Sequence, residues 1–325
     1  MRRRGGWAKA TVPSNRGRAL VMQQPNLRDR LSILLAALLF STGGVVIKST
    51  SLGGLEVAGL RAVVAAVAVL LLVPGPVVVA RRAVVLTGIA QGTAMLLFVL
   101  ANKMTTAANT IFLQSAAPLY IPLLASRVLG ERATKRDLAA MVGIGVGLSF
   151  FFVGGEEPTA TAPQPRLGDL LAIASGVAWA CTVIGLRYLS RAEGGPRVAV
   201  IEAGVEAAAS HRAAGAAKGA LVWGNVLVAL VALPGVMPLA TVTTWDVVAL
   251  VYLGVAQVAL AYRFLVRGVE KVPALEASLL ILFEPVLNPL WAFLFLAETP
   301  GPWALAGAGI IATVTVARAL AGARR

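Results

Sequence analysis

The sequence predicts an all-α polytopic membrane protein: ten transmembrane helices arranged as two inverted five-helix repeats. Three features predict it: long apolar blocks, a one-sided distribution of Lys and Arg, and an internal repeat. Of the 325 residues, 58% are apolar types and only 14% are charged, and the mean hydropathy is +0.81. A soluble domain carries about 25% charged residues, enough to clothe its surface; this chain does not. A helix needs about 20 apolar residues to cross a bilayer, and blocks of that order recur along the whole sequence. Strands of a membrane barrel would alternate polar and apolar residues, and these blocks do not.

The blocks give ten spans. Span 1 is Leu31 to Ser49, span 2 Leu55 to Val73, span 3 Ala83 to Ala101, span 4 Thr105 to Val128 and span 5 Leu138 to Val153. Span 6 is Leu167 to Leu189, span 7 Ala220 to Val236, span 8 Trp245 to Phe264, span 9 Pro273 to Leu296 and span 10 Trp303 to Leu320. Prolines such as Pro74, Pro76, Pro163 and Pro196 mark breaks between them.

Charge tests this count independently, because Lys and Arg concentrate on the cytoplasmic side. With the N-terminus inside, 25 of the 29 Lys and Arg residues fall on cytoplasmic segments or at the cytoplasmic ends of spans. Only Lys103 and Arg166 fall outside, and Lys48 and Arg61 lie within spans. The reading therefore places the chain in the cell (plasma) membrane with both termini cytoplasmic. Residues 1–30 form a basic cytoplasmic tail; 31–155 and 167–320 are the two halves, joined by an extracytoplasmic loop at 156–166, and 321–325 is a cytoplasmic C-terminus. The stretch 191–219 is too polar to span and reads as a long cytoplasmic loop carrying a short surface helix. No small-residue cleavage site follows a short apolar region near the start, so the first span is retained.

The net charge of +14 does not imply nucleic acid, because the basic residues sit at the ends of apolar blocks rather than on an aromatic-studded face. Cys181 is the only cysteine and lies inside a span; the lone His211 lies in the polar loop. No cluster of His, Cys and carboxylates suggests a metal site, and no Gly-rich phosphate loop suggests ATP hydrolysis. No cofactor is expected. The expected partners are the lipid bilayer and a small-molecule solute, with a coupling proton or ion as an option, the protein acting as monomer or homodimer.

Spans 3 and 4 repeat in spans 8 and 9. Gly88-Ile89-Ala90-Gln91 parallels Gly254-Val255-Ala256-Gln257, Ala117-Pro118 parallels Glu284-Pro285, Pro122 parallels Pro289, and Glu131 parallels Glu298. Asp29 and Asp169 match more loosely in spans 1 and 6. Five spans per half is odd, so the second half is inverted relative to the first, a plan that suits a transporter.

These segments resemble the EamA-like transporters of the drug/metabolite transporter superfamily. The resemblance is carried by Pro273 to Ser278, by Leu282-Phe283-Glu284-Pro285 through Asn288-Pro289-Leu290-Trp291, and by Ala297-Glu298, where Ala297 stands for the family's usual Gly. The first half keeps a weaker form, Ala117-Pro118 through Leu129-Gly130-Glu131, and Arg61 and Trp223-Gly224-Asn225 also look like the family. The resemblance covers roughly Arg28 to Leu320. It implies a ten-span fold with cytoplasmic termini and the movement of small metabolites, amino acids or drugs, without naming the substrate.

Six residues are candidates for the solute pathway: Glu284, Gln257, Gln91, Arg61, Asn288 and Gln114. A charge at the bilayer midplane costs about 2.5–3.5 kcal/mol on insertion scales, so Glu284 in span 9 faces either a cavity or a bonded neighbour. Pro285 removes a backbone donor and frees a carbonyl one turn earlier; Pro118, Pro289 and Pro122 are the other helix-kink candidates. Arg61 in span 2 is an anion-attracting or gating charge, or else a snorkelling or structural one paired with Glu56. Gln91, Gln257 and Gln114 either bond solute or glue helices. Asn288, one turn after Glu284, shares its face. Tyr120, Trp179, Tyr262 and Trp291 could line a pathway, but most of them suit packing or interfacial anchoring better. Glu131 and Glu298 suit capping or loop-fixing better than transport, and Gly143, Gly145, Gly147, Gly307 and Gly309 suit packing between spans 5 and 10 in preference to dimerisation.

The leading function is therefore a secondary transporter, most simply an exporter, working by alternating access. A non-transporting membrane scaffold or regulatory protein is the alternative; it would need neither Glu284 nor the central glutamines. A membrane enzyme would need a convergent set of His, Cys, Ser or Asp, and the chain lacks one.

Overall fold

The structure is a computed structural model. It describes residues 26–130, 133–153, 157–192, 211–236, 241–269, 272 and 274–323. Among these, nine helical segments are long and apolar enough to cross a membrane, from Leu27–Ser49 to Leu279–Leu296. The tenth helix, Pro302–Ala323, has a shorter apolar stretch, Pro302–Arg318. There are no strands among the described residues.

Four spans depart from regular α-helix, and local chemistry accounts for three of them. Span 1 breaks at Thr42, between Leu27–Ser41 and Gly43–Ser49. There Ser41 and Thr42 donate their hydroxyls back to Leu38 and Leu39 carbonyls at 2.8 Å, which competes with the helical ladder. Span 4 breaks between Ala107–Gln114 and Ala117–Val128, and span 9 between Ala274–Ile281 and Phe283–Leu296. Pro118 and Pro285 lie four residues beyond Gln114 and Ile281, the carbonyls whose bonds each proline eliminates. Pro122 and Pro289 lie inside the continuous second halves of their spans. Span 8 widens to a π-helix over Tyr252–Leu260.

The packing follows the internal repeat. Span 3 lies against spans 6 and 7, as span 8 lies against spans 1 and 2; span 4 meets span 6, as span 9 meets span 1; spans 2 and 7, and 5 and 10, pair across the axis. Each contact maps onto another, or onto itself, when the halves are exchanged. At the crossing of spans 3 and 7 the backbones nearly touch: a Cβ on Gly92 would fall 2.6 Å from the Gly224 carbonyl oxygen. Between spans 5 and 10, Gly143 and Gly147 face Val314, Ile311 and Gly307, whereas nothing lies within 4 Å of a Cβ on Gly145 or Gly309.

Span 7 corrects the reading of 191–219 as loop. The helix begins at His211 and runs to Val236; residues 193–210 lie outside the described residues. Lys218, one of several charges in this stretch, is buried. Its ammonium donates to the carbonyls of Leu70 (3.2 Å), Val73 (2.6 Å) and Gly75 (3.2 Å). It thereby satisfies the C-terminal carbonyls of span 2, where a cation also complements the helix dipole.

The two halves also end alike. Gly130 closes span 4 at φ +67, and Ala297 closes span 9 at φ +52. A left-handed C-terminal residue is normally Gly, because a Cβ there costs about 1–2 kcal/mol. Ala297→Gly is accordingly expected to stabilise the protein by about 1 kcal/mol, raising the apparent Tm in detergent; an unchanged or lower Tm counts against strain at this cap.

Candidate functional site

The broken helices surround a cavity of about 200 Å³. Five of the six pathway candidates line it: Glu284, Gln257, Gln91, Arg61 and Gln114, together with Pro118 and Pro285. The rest of the wall is largely apolar and aromatic, with Phe40, Phe98, Phe112, Trp179 and Tyr262. Trp179 and Tyr262 thus do more than the packing or anchoring the sequence suggests for most of the aromatics. Trp291 does pack, donating its indole N–H to Ser41 Oγ at 2.9 Å.

Each polar group is held differently. Glu284 sits in the first turn after the break in span 9 and is partly buried. Its carboxylate makes no hydrogen bond or ion pair among the described residues, though it lies within electrostatic reach of Tyr262. Arg61 is 3% exposed, and Nη2 reaches only the Met95 sulfur at 3.4 Å, leaving Nη1 without a partner among the described residues. Glu56 does not supply one. It accepts from the Gly53 backbone N–H at 2.6 Å, as an acidic residue in the first turn of a helix does. Five positions along a helix also turn the two side chains well apart.

Gln91 packs against Gly224, and Gln257, in the π-helix, against Gly43 at the break in span 1. Both are buried, and the Oε1 of each has no partner among the described residues. Gln114 is tied down: Nε2 donates to Ser175 Oγ at 2.7 Å, and Ser175 donates to the Ala94 carbonyl at 2.8 Å. It both lines the cavity and joins spans 3, 4 and 6.

Asn288 is the exception. It is 1% exposed and lies one turn beyond Glu284, where the second half of span 1 closes on spans 3 and 9. A Cβ on Gly44 would lie 3.1 Å from its Oδ1 and 3.0 Å from that of Asn102. It shares Glu284's face but lies beyond the end of the cavity. Glu131 lies outside the described residues.

A layer of buried polar contacts closes the cavity at this end. Lys48 and Glu298 form an ion pair at 2.8 Å, their side chains 2% and 3% exposed. Glu298 also accepts from the Ala107 N–H at 2.9 Å, and Lys48 donates to the Thr161 carbonyl. Asp246 accepts from the Ser51 N–H and hydroxyl at 2.8 and 2.7 Å, Asp169 accepts from Thr105 and Asn109, and Lys103 donates to Thr50. Toward the opposite, arginine-rich end the lining continues to Leu265 and Val316, close to Arg267 and Arg318.

The sequence suggests capping or loop-fixing for Glu298, and its bond to the Ala107 N–H, at the first residue of the helix Ala107–Gln114, is of the capping kind; its pairing with Lys48 is not evident from the sequence alone. The sequence holds only the clue of two opposite charges, at the ends of spans 1 and 9, on the same side of the membrane.

The profile of the EamA-like transporter family matches residues 30–153 and again 166–317, one match for each five-span half. The chain belongs to the EamA-like transporter family. As an EamA-like protein it is a multi-pass membrane transporter of small molecules within the drug/metabolite transporter superfamily, in a family of transporters rather than enzymes. No curated protein matches this EamA-like chain. A crystal structure described only as that of a protein aligns at a TM-score of 0.56 with 20% identity, over 90% of this chain and 98% of its own; that likeness speaks to the fold alone.

Proposed function

We propose that this EamA-like protein is a secondary transporter that exports small organic metabolites, amino acids or drugs across the cytoplasmic membrane by alternating access. One observation carries the reading. A mid-membrane cavity holds buried polar groups without partners among the described residues, is closed at the Lys48 end by a polar layer built on the buried Lys48–Glu298 pair, and extends toward the arginine-rich end. Buried ionisable and amide groups are expensive in a membrane and mark solute paths. Irregular backbone at membrane depth occurs where it lines such a path.

With the arginine-rich end cytoplasmic, by the bias of Lys and Arg, this is the inward-facing state, ready to load solute from the cytoplasm. Both termini then lie inside. Export follows when the polar layer opens and the cytoplasmic end closes, with Glu284, Gln91, Gln257 and Arg61 holding the solute between the two events. A scaffold would gain nothing from burying Arg61 beside a cavity.

The test is flux. Protein reconstituted in liposomes is expected to carry radiolabelled solutes, drawn from a panel of amino acids and organic acids that raise its melting temperature, faster than empty liposomes. Runs with and without an imposed proton gradient report coupling. A panel that binds the protein yet never crosses the membrane would favour the regulatory alternative.

A further inference from the structure

Arg61 poses a problem that the transport reading does not by itself solve. Its guanidinium is a planar fork of five N–H donors that stays charged in proteins. It is 3% exposed and well inside span 2, so it does not snorkel to the interface. Among the described residues its hydrogen bonding amounts to one contact, Nη2 to the Met95 thioether at 3.4 Å, and Nη1 has none. A thioether is a weak acceptor. Burying a charge without an ionic partner is strongly unfavourable, and among the described residues the weak Met95 contact is the one helix–helix bond Arg61 makes to offset it. The group nevertheless faces the cavity, where it is the one cationic side chain in the lining among the described residues.

We infer that Arg61 is the anion-binding subsite of the cavity and receives the carboxylate of a solute with an apolar body. The inference rests on the reading of the cavity as the solute site. A guanidinium binds a carboxylate through two parallel charge-assisted hydrogen bonds. A single cation balances a monoanion, so a carboxylate fits better than a doubly charged phosphate. The aromatic wall of Phe40, Phe98, Phe112 and Trp179 suits an apolar body. The Oε1 atoms of Gln91 and Gln257, without partners among the described residues, accept hydrogen bonds, so they suit N–H or O–H groups elsewhere on the solute.

Purified protein in detergent is titrated with 3-phenylpropanoate and with its uncharged amide, and its apparent Tm is followed. The acid is expected to bind wild-type protein about 10- to 100-fold more tightly than the amide. Arg61→Met is expected to lose that preference and, without any probe, to melt no lower than wild type, because a buried unpaired charge has been replaced by an apolar side chain of similar length. Arg61→Lys, which keeps the charge without the fork, is expected to retain a weaker preference. The wild-type comparison of acid with amide needs no variant at all. Equal response to acid and amide, no response to the acid, or a preference that survives in Arg61→Met overturns the subsite. So does a marked fall in Tm of Arg61→Met without probe, which makes Arg61 structural. The transport reading fails on different data, the absence of flux in wild-type liposomes for every solute that binds.

Discussion

Glu284→Ala and Glu284→Gln are expected to lose about 10-fold or more of the flux of reconstituted protein while folding as well as wild type. The reason lies in what Glu284 does not touch. Its carboxylate bonds to no described residue, so removing it orphans no donor on a neighbouring helix. Deleting a group that holds a bundle together usually leaves its partner unsatisfied, at about 1–3 kcal/mol; here that loss is absent, and stability is expected to stay within about 1 kcal/mol. The solute, by contrast, loses a charge-assisted contact of about 1.5–3 kcal/mol, which is about 10- to 150-fold in affinity. Glu284→Gln separates charge from shape. If the solute presents a cation to Glu284, both variants fail; if it presents a neutral donor, the glutamine variant keeps part of the flux. Full transport by both would remove Glu284 from the pathway. A large drop in Tm with either would make it helix glue instead.

The sequence showed the fold through signals that depend on the membrane rather than on particular contacts. Block length reports bilayer thickness, and Lys and Arg placement reports topology, so both survive the absence of any structure. Gln91, Gln257 and Glu284 stand out in the sequence because a polar group at membrane depth either lines a cavity or bonds a neighbouring helix, and only the fold shows that all three reach the cavity. Lys218 misled for the opposite reason. Hydropathy scores an ammonium as if it faced lipid, whereas here two carbonyls at the end of span 2 and that of Gly75 just beyond surround it. Asn288 shows a second limit: helical periodicity gives its angular position, and only the fold gives the depth at which span 1 closes over it. The break in span 1 was equally hidden, since Ser41, Thr42, Gly43 and Gly44 are each tolerated in a membrane helix and only together end one.

The buried pair of Lys48 and Glu298 carries the second large expected effect, on the conformational equilibrium rather than on solute contact. The pair joins the second half of span 1 to the end of span 9, and its side bonds reach the start of span 4 and the segment before span 6. These elements come from both halves of the chain, so they must separate if the cavity is to open on the Lys48 side. Removing one partner of a buried pair costs about 3–5 kcal/mol, because the other charge is left buried without its counter-charge. In Glu298→Gln that penalty falls on the state closed at this end; in the opened state water can reach Lys48 and most of the penalty disappears. A shift of 3 kcal/mol is about 100-fold in the ratio of the two states. The expected result is a protein resting open at the Lys48 end, with slower turnover because resealing has become the unfavourable step. Cys181 is the only native cysteine, so Cys181→Ser gives a clean background. Phe98→Cys, in the cavity wall, is then expected to react with a membrane-impermeant thiol reagent from the Lys48 side far faster in Glu298→Gln than with the pair intact. Lys48→Met combined with Glu298→Leu removes both charges. Apolar replacement of a whole buried pair is often neutral or stabilising, so this double variant is expected to close again and to lose the rapid labelling. Equal labelling in all three backgrounds would mean that the pair merely braces the bundle and that the opening runs elsewhere.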